Sequence, residues 1–208
     1  SLRNPRLNIY LGIGNSLLDI GHSLGHSLLD IGHLTDLSPS FPMKILTDHQ
    51  IRQKIRRIAI EILERHYGES EIILAGLNNN GLGFAQLLLA ELQAVAPKDM
   101  TLTLTRIRLN PANPIEYDPV VELPATALRD KAIVIVDDVA NTGRTIFYAV
   151  QPLLKVVPKR VEVAVLVDRK HKSFPIKTDY VGLSLATTMR DDIDVQIRGV
   201  AEMAVYLR

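Results

Sequence analysis

The 208-residue chain has no cysteine and no tryptophan, and aromatic residues make up only 5% of it. Without thiols there are no disulfides, thiolate metal sites or cysteine nucleophiles, which fits a cytoplasmic protein. No apolar run approaches the roughly 20 residues needed to cross a bilayer, so no membrane partner is expected. Charge of one sign is lacking too. A formal net charge of +1 leaves any phosphate or nucleic-acid contact to local basic clusters. The Walker loop GxxxxGK[ST] does not occur, which sets that mode of nucleotide binding aside. What remains is an ordinary composition, 47% apolar, long enough for one well-buried domain but not for two large ones.

The N-terminal part is unlike the rest. Residues 16–22 and 27–33 both spell SLLDIGH within a segment rich in Gly, Ser, Leu and His. His22 and His26 have the i,i+4 spacing that places two metal ligands on one helical face, and His33 follows. Gly21, Gly25 and Gly32 discourage a stable helix, and two copies fall short of a self-supporting repeat fold. The blander reading is therefore preferred to metal binding. Leu37 to Pro42 reads as a turn-rich linker. The expectation is an extension over 1–42, disordered or not native, and a folded domain over 43–208 that starts at Met43.

From Met43 the pattern sharpens. Thr47 and Gln50 form a capping box, and Ile51, Ile55, Ile58 and Ile62 recur at helical spacing until Gly68 offers a left-handed stop. EIILAG reads as a strand, LNNNG as a loop, and the run through Leu87, Leu88 and Leu92 to Pro97 as a second helix. TLTLTRIRL alternates like a strand. Asn110 to Pro124, with four prolines, reads as a long loop. AIVIV, Thr145 to Val156 and VEVAVLV supply strand, helix and strand, with a kink expected at Pro152. Alternating β and α units with near-continuous apolar strands predict an α/β fold, a parallel sheet covered on both faces, whose ligand sits at the carboxyl ends of the strands.

The stretch VIVDDVANTGRT, residues 134–145, falls at such an end. Adjacent residues leaving a strand point to opposite sides, so Asp137 and Asp138 are expected to meet different groups on one ligand rather than to share a proton. Asn141 to Thr145 then runs into a helix N-terminus, where amides, the macrodipole and two hydroxyls converge on an anion. Together these describe a cradle for a sugar phosphate. Simple capping by Asp138 and Thr142 accounts for one acid and not for two.

This stretch resembles the phosphoribosyl pyrophosphate motif of type I phosphoribosyltransferases. With IRRIAIEILE, IILAGLNNNG and LVDRKHKSFPIKTDYVGLSLAT, the chain from Met43 to Arg208 is similar to the family of pyrimidine operon attenuation regulators that are also uracil phosphoribosyltransferases. The resemblance implies the type I phosphoribosyltransferase fold, a central mostly parallel sheet flanked by helices, with a small hood built partly from Val195 to Leu207. It implies transfer of ribose 5-phosphate from phosphoribosyl pyrophosphate to a nucleobase, with Mg²⁺ as cofactor, in a homo-oligomer (dimer or tetramer). Asp137, Asp138 and Arg169 become the catalytic candidates, the two acids reaching the metal through water if at all. Ala140, Asn141, Thr142, Gly143, Arg144 and Thr145 would bind the 5′-phosphate, and Leu77, Asn78, Asn79, Asn80 and Gly81 the pyrophosphate. Asn110 to Pro124 would be a mobile flap, with Arg106 and Arg108 as its basic residues. Val181 and Gly182 would begin a base pocket that runs to Ala186.

Three departures qualify this. Residues 77–81 carry no cation where basic residues are typical of these regulators, and a tight left-handed turn explains the asparagines equally well. Asn141 stands where purine-type relatives place an acid, which disfavours hypoxanthine and guanine. RNA is a further partner implied by the family, through Arg52, Lys54, Arg56 and Arg57 on the first helix and Arg169, Lys170, His171, Lys172 and Lys177 on the strand-end loop. Near-zero net charge and the lack of interleaved aromatics count against it. The favoured function is conversion of uracil to UMP and pyrophosphate. The alternatives are an RNA-binding or nucleotide-sensing regulator with little catalysis, and a transferase for another nucleobase.

Overall fold

The computed structural model describes residues 42–186 and 191–208. The SLLDIGH repeat, its three histidines and residues 37–41 of the linker lie outside the described residues. Among the described residues no helix is long and apolar enough to cross a membrane.

Strand β1 (Met43–Leu46) leads into helix α1 (Asp48–Arg65). The helix starts where the capping box predicts, with the Gln50 amide on Thr47 Oγ1 and the Thr47 amide on Gln50 Oε1. Its isoleucines at 51, 55, 58 and 62 are all buried, and Gly68 follows at φ +84. Then come β2 (Glu71–Leu77), α2 (Asn78–Val95), β3 (Thr101–Arg108) and the two-residue β4 (Val120–Val121). A short α3 (Ala125–Leu128) precedes β5 (Ala132–Ala140), α4 (Arg144–Ala149), β6 (Arg160–Arg169) and β7 (Tyr180–Leu185). Strands β8 (Ile193–Gln196) and β9 (Ala204–Leu207) close the chain.

The main sheet has the order β4-β3-β2-β5-β6-β7 and is parallel except for β4. One face carries α1 and α2 over Ile72, Leu74, Val134, Val136 and Leu166; the other packs Ile73, Ile133, Ile135 and Val165 beneath Ile146 and Leu153. Period-two alternation along β5 divides its apolar side chains between the two cores, which is why the strand reads as continuously apolar. The chain runs from β2 outward to β3 on one side and from β5 outward to β6 on the other. The crevice between β2 and β5 is thus the switch point, where α/β sheets take their ligands.

Four sequence expectations change here. The hood contains β8 and β9 as foreseen, but β1 joins them in an antiparallel order β1-β9-β8, a pairing across the whole domain. The helix expected over Thr145–Val156 stops at Ala149. Pro152, lacking an amide hydrogen, ends it rather than kinking it, and Gln151–Lys155 tighten into a 3₁₀ helix. Asn78 to Gly81 are no loop. A single left-handed residue, Asn78 at φ +47, turns the chain from β2 directly into the first turn of α2. Arg106 and Arg108 belong to β3, at the root of the flap, which itself contributes β4.

Candidate active site

Helix α2 enters close against β5 because Gly81 has no side chain. A Cβ there would stand 2.4 Å from the Val136 carbonyl oxygen. Each asparagine of this turn has a partner inside the protein. Asn78 Oδ1 accepts the Leu109 amide at 3.0 Å, Asn79 Oδ1 accepts from Arg106 Nη1 at 3.1 Å, and Asn80 bonds the Asp138 carboxyl. The missing charge is therefore supplied from the neighbouring strand: Gly76 pairs with Arg106 in the parallel ladder, which sets that guanidinium beside the turn.

Strand β5 continues past the acids to Ala140, so Asp137 and Asp138 lie within it and not beyond its end. They do not part to opposite sides. Asp137 Oδ1 folds back to accept the Asp138 amide at 3.0 Å, and both carboxyls line one cleft of about 330 Å³ with Leu77, Asn78, Asn80, Pro111 and Thr145. Both are half-buried at its floor. Burial pushes the Asp137 carboxyl well above the usual carboxylate range, and the charge of Asp138 adds to the rise. Burial also raises Asp138, against hydrogen bonds from Asp137, the Val139 amide and Asn80. An ionised pair so placed is short of donors and positive charge, which hydroxyl groups or a hydrated cation supply. Among the described residues no group of three or more His, Cys, Asp or Glu gathers to hold a metal. These two acids are the residues that suit Mg²⁺, with water and substrate oxygens completing its shell.

After Ala140 the chain turns through Gly143, whose φ of +84 suits glycine far better than any side chain. Asp137 and residues 139–146 enclose a pocket of about 50 Å³, a space for a compact anion and not for a ring. Thr142 caps the Arg144 amide only loosely, at 3.4 Å. With six residues, α4 has a short dipole, so the loop's amides and hydroxyls carry the anion chemistry. Arg144 turns away to the Pro111 carbonyl at 2.8 Å, tying the phosphate loop to the flap.

Behind this loop stands a support of basic side chains. Arg169, 7% exposed at the end of β6, donates to Asn141 Oδ1 at 3.1 Å. Lys172 Nζ donates to the Ala140 carbonyl at 3.1 Å and to Asp168 Oδ1 at 2.5 Å. The Thr142 carbonyl takes the amides of Ser173 and Phe174. Lys172 and Arg169 thus bond the loop from behind. Of the four clustered basic residues on the first helix, two have partners within the protein. Arg52 pairs with Asp48 at 2.7 Å, while Arg57 bonds Glu61 and the Val181 and Gly182 carbonyls. Those two carbonyls of the expected base pocket face α1, and Leu183 lines a cavity with Gln50, Gln53, Lys54 and Arg57 of that helix.

Residues 43–201 match the family model described as phosphoribosyl transferase domain. The chain is 34% identical over 174 residues to bifunctional protein PyrR of Bacillus pumilus, covering 78% of this chain and 96% of that protein. It is 33% identical over 161 residues to bifunctional protein PyrR of Streptomyces coelicolor, covering 74% and 82%. Two crystal structures of a hypoxanthine-guanine phosphoribosyltransferase from Bacillus anthracis superpose with a TM-score of 0.62 at 15% and 18% identity, covering 78% of this chain and 96% of theirs.

Proposed function

Because the chain belongs to the phosphoribosyl transferase domain family and has the type I fold, we propose that it transfers ribose 5-phosphate from phosphoribosyl pyrophosphate to uracil, giving UMP and pyrophosphate. The observation that carries this reading is the adjacency of the acid floor and the small anion pocket. Both are lined by Asp137 and Thr145, so one ligand carrying a sugar and a phosphate can reach both. Asp137 and Asp138 accept from the ribose hydroxyls, while the amides of 140–145 and the Thr142 and Thr145 hydroxyls hold the phosphate. As the bond from the ribose C1 to pyrophosphate lengthens, positive charge develops on the ring, and carboxylates fixed on a central strand stabilise it without reorganising. Mg²⁺, when bound, neutralises the departing pyrophosphate. Arg144, through Pro111, draws the flap over a reaction that water would otherwise divert to hydrolysis.

Uracil is favoured by the resemblance to the pyrimidine regulators and by Asn141. Its carboxamide is engaged by Arg169 and provides no acid for a purine ring nitrogen. In this reading the base would lie along Val181 to Ala186, on β7 and just past its end, and be read by backbone groups. The regulator reading is supported by the same PyrR relatives; among its expected basic residues, Arg169 and Lys172 bond the 140–145 loop. A steady-state assay of pyrophosphate release with Mg²⁺ against uracil, hypoxanthine, guanine, adenine and orotate tests the proposal. Uracil-dependent turnover that collapses in Thr142→Ala/Thr145→Ala supports it. Silence with every base, or a double variant that binds phosphoribosyl pyrophosphate as tightly as the parent, overturns it.

A further inference from the structure

We propose that Arg106 and Arg108 form the subsite for the diphosphate leaving group and that Glu122 is its internal competitor, occupying both guanidiniums until the diphosphate displaces it. This rests on the transferase reading above. The turn 78–80 brings no cation of its own, yet a departing diphosphate is multiply charged and needs one. Strand β3 delivers two. Arg106 bonds Asn79, and Arg108, two residues on, shares its face of the strand.

Both guanidiniums converge on a single oxygen. Glu122 Oε1 lies 2.9 Å from Nε and 2.5 Å from Nη2 of Arg106, and at the same two distances from Arg108. An anionic oxygen held in two arginine forks is the arrangement that phosphate oxygens adopt with arginine. Glu122 is put there by the backbone. Its amide donates to the Arg106 carbonyl at 3.0 Å, just after β4 pairs with β3. Two cations to one carboxylate leave a positive surplus. The cavity beside them, about 520 Å³, is lined by Asn78, Asn79, Arg106, Arg108, Leu109 and Pro111. It shares Asn78 and Pro111 with the cleft that holds the two acids. A ligand spanning both would put its sugar at Asp137 and Asp138 and its diphosphate at the arginines.

Magnitude decides which anion wins. The Glu122 and Arg108 side chains are 42% and 60% exposed and that of Arg106 21%, and ion pairs open to solvent are weak. A diphosphate with several oxygens to offer displaces so weak a latch, whereas Glu122 still lowers its affinity by competing.

The test is calorimetric titration of the full chain and its variants with three probes: inorganic pyrophosphate with Mg²⁺, phosphoribosyl pyrophosphate and ribose 5-phosphate. Glu122→Gln should bind the first two about fivefold more tightly, or about 1 kcal/mol. Arg108→Gln should bind them about tenfold more weakly. Ribose 5-phosphate, which lacks the diphosphate, should be unaffected by either change and so reports that the fold is intact. Glu122→Asp, too short to reach both forks, should follow Glu122→Gln. Pyrophosphate affinity unmoved by these changes, or ribose 5-phosphate affinity moving in step with it, overturns the inference. Failure of the parent chain to bind ribose 5-phosphate counts instead against the sugar-phosphate cradle, while the pyrophosphate titration still decides the role of the arginines.

Discussion

Asp137 sits at a position where the fold disfavours charge. Burial raises its folded pKa well above the ordinary 3.8, so the native chain binds that proton more tightly than the unfolded chain does. The resulting stabilisation is complete below pH 3.8 and is lost as pH rises through the elevated folded value. Above that value the ionised carboxylate strains the site. Asp137→Asn, which fixes a neutral side chain of the same shape, should therefore gain melting temperature over the parent as pH rises through the elevated folded value. Turnover should drop about 100-fold or more with the electrostatic contribution removed. Calorimetric melting beside steady-state rates reads both. A variant that loses activity and melts lower would show that the carboxylate stabilises the fold and is not held there against it. Asn141 teaches a different lesson at this scale. Its identity was readable as the lack of an acid, but its partner Arg169 was not, because 28 residues separate them.

At the scale of elements, what was legible was local. Thr47 with Gln50 and four isoleucines at helical spacing announced α1, and the apolar run before Asp137 announced β5. What was not legible depended on distant pairing. Nothing in MKIL says strand until β9 arrives beside it, and residues 78–81 of the apparent loop are helical because α2 packs flat on β5. The signal for that packing was Gly81, two residues before another glycine, which reads as loop composition and acts as a contact surface. Gly81→Ala sets a methyl 2.4 Å from the Val136 carbonyl oxygen and 3.2 Å from Asp137 Oδ1, and neither the strand nor the helix start yields cheaply. A loss of about 1–3 kcal/mol in denaturant unfolding is expected, together with weaker phosphoribosyl pyrophosphate binding, since Asn79 and Asn80 ride on the same turn. Full parental stability would mean that α2 shifts freely, and that the positions of its asparagines are not set by this contact.

For the molecule as a whole, charge separates the enzyme reading from the regulator reading. Affinity for a polyanion grows with the number of phosphates a protein neutralises, and each adds about 0.7 to the slope of log affinity against log salt for single strands. The chain totals +1; of the clustered cations Arg57 bonds β7 and Lys172 pairs with Asp168, Arg52 and Lys177 are ion-paired on the surface, and Arg56 and Lys170 stay exposed. With the field of the whole molecule near zero, those local cations alone are left to neutralise a strand. Binding of a single-stranded RNA, followed by fluorescence anisotropy between 50 and 300 mM salt, should show a slope of about 2 or less, from roughly three phosphates at most. It should change little on replacing Lys170 and Arg56 with glutamine. A slope of about 5 or more that falls in that double variant would mean a basic face assembles in solution, and the same fold would then serve RNA recognition beside its transferase cleft.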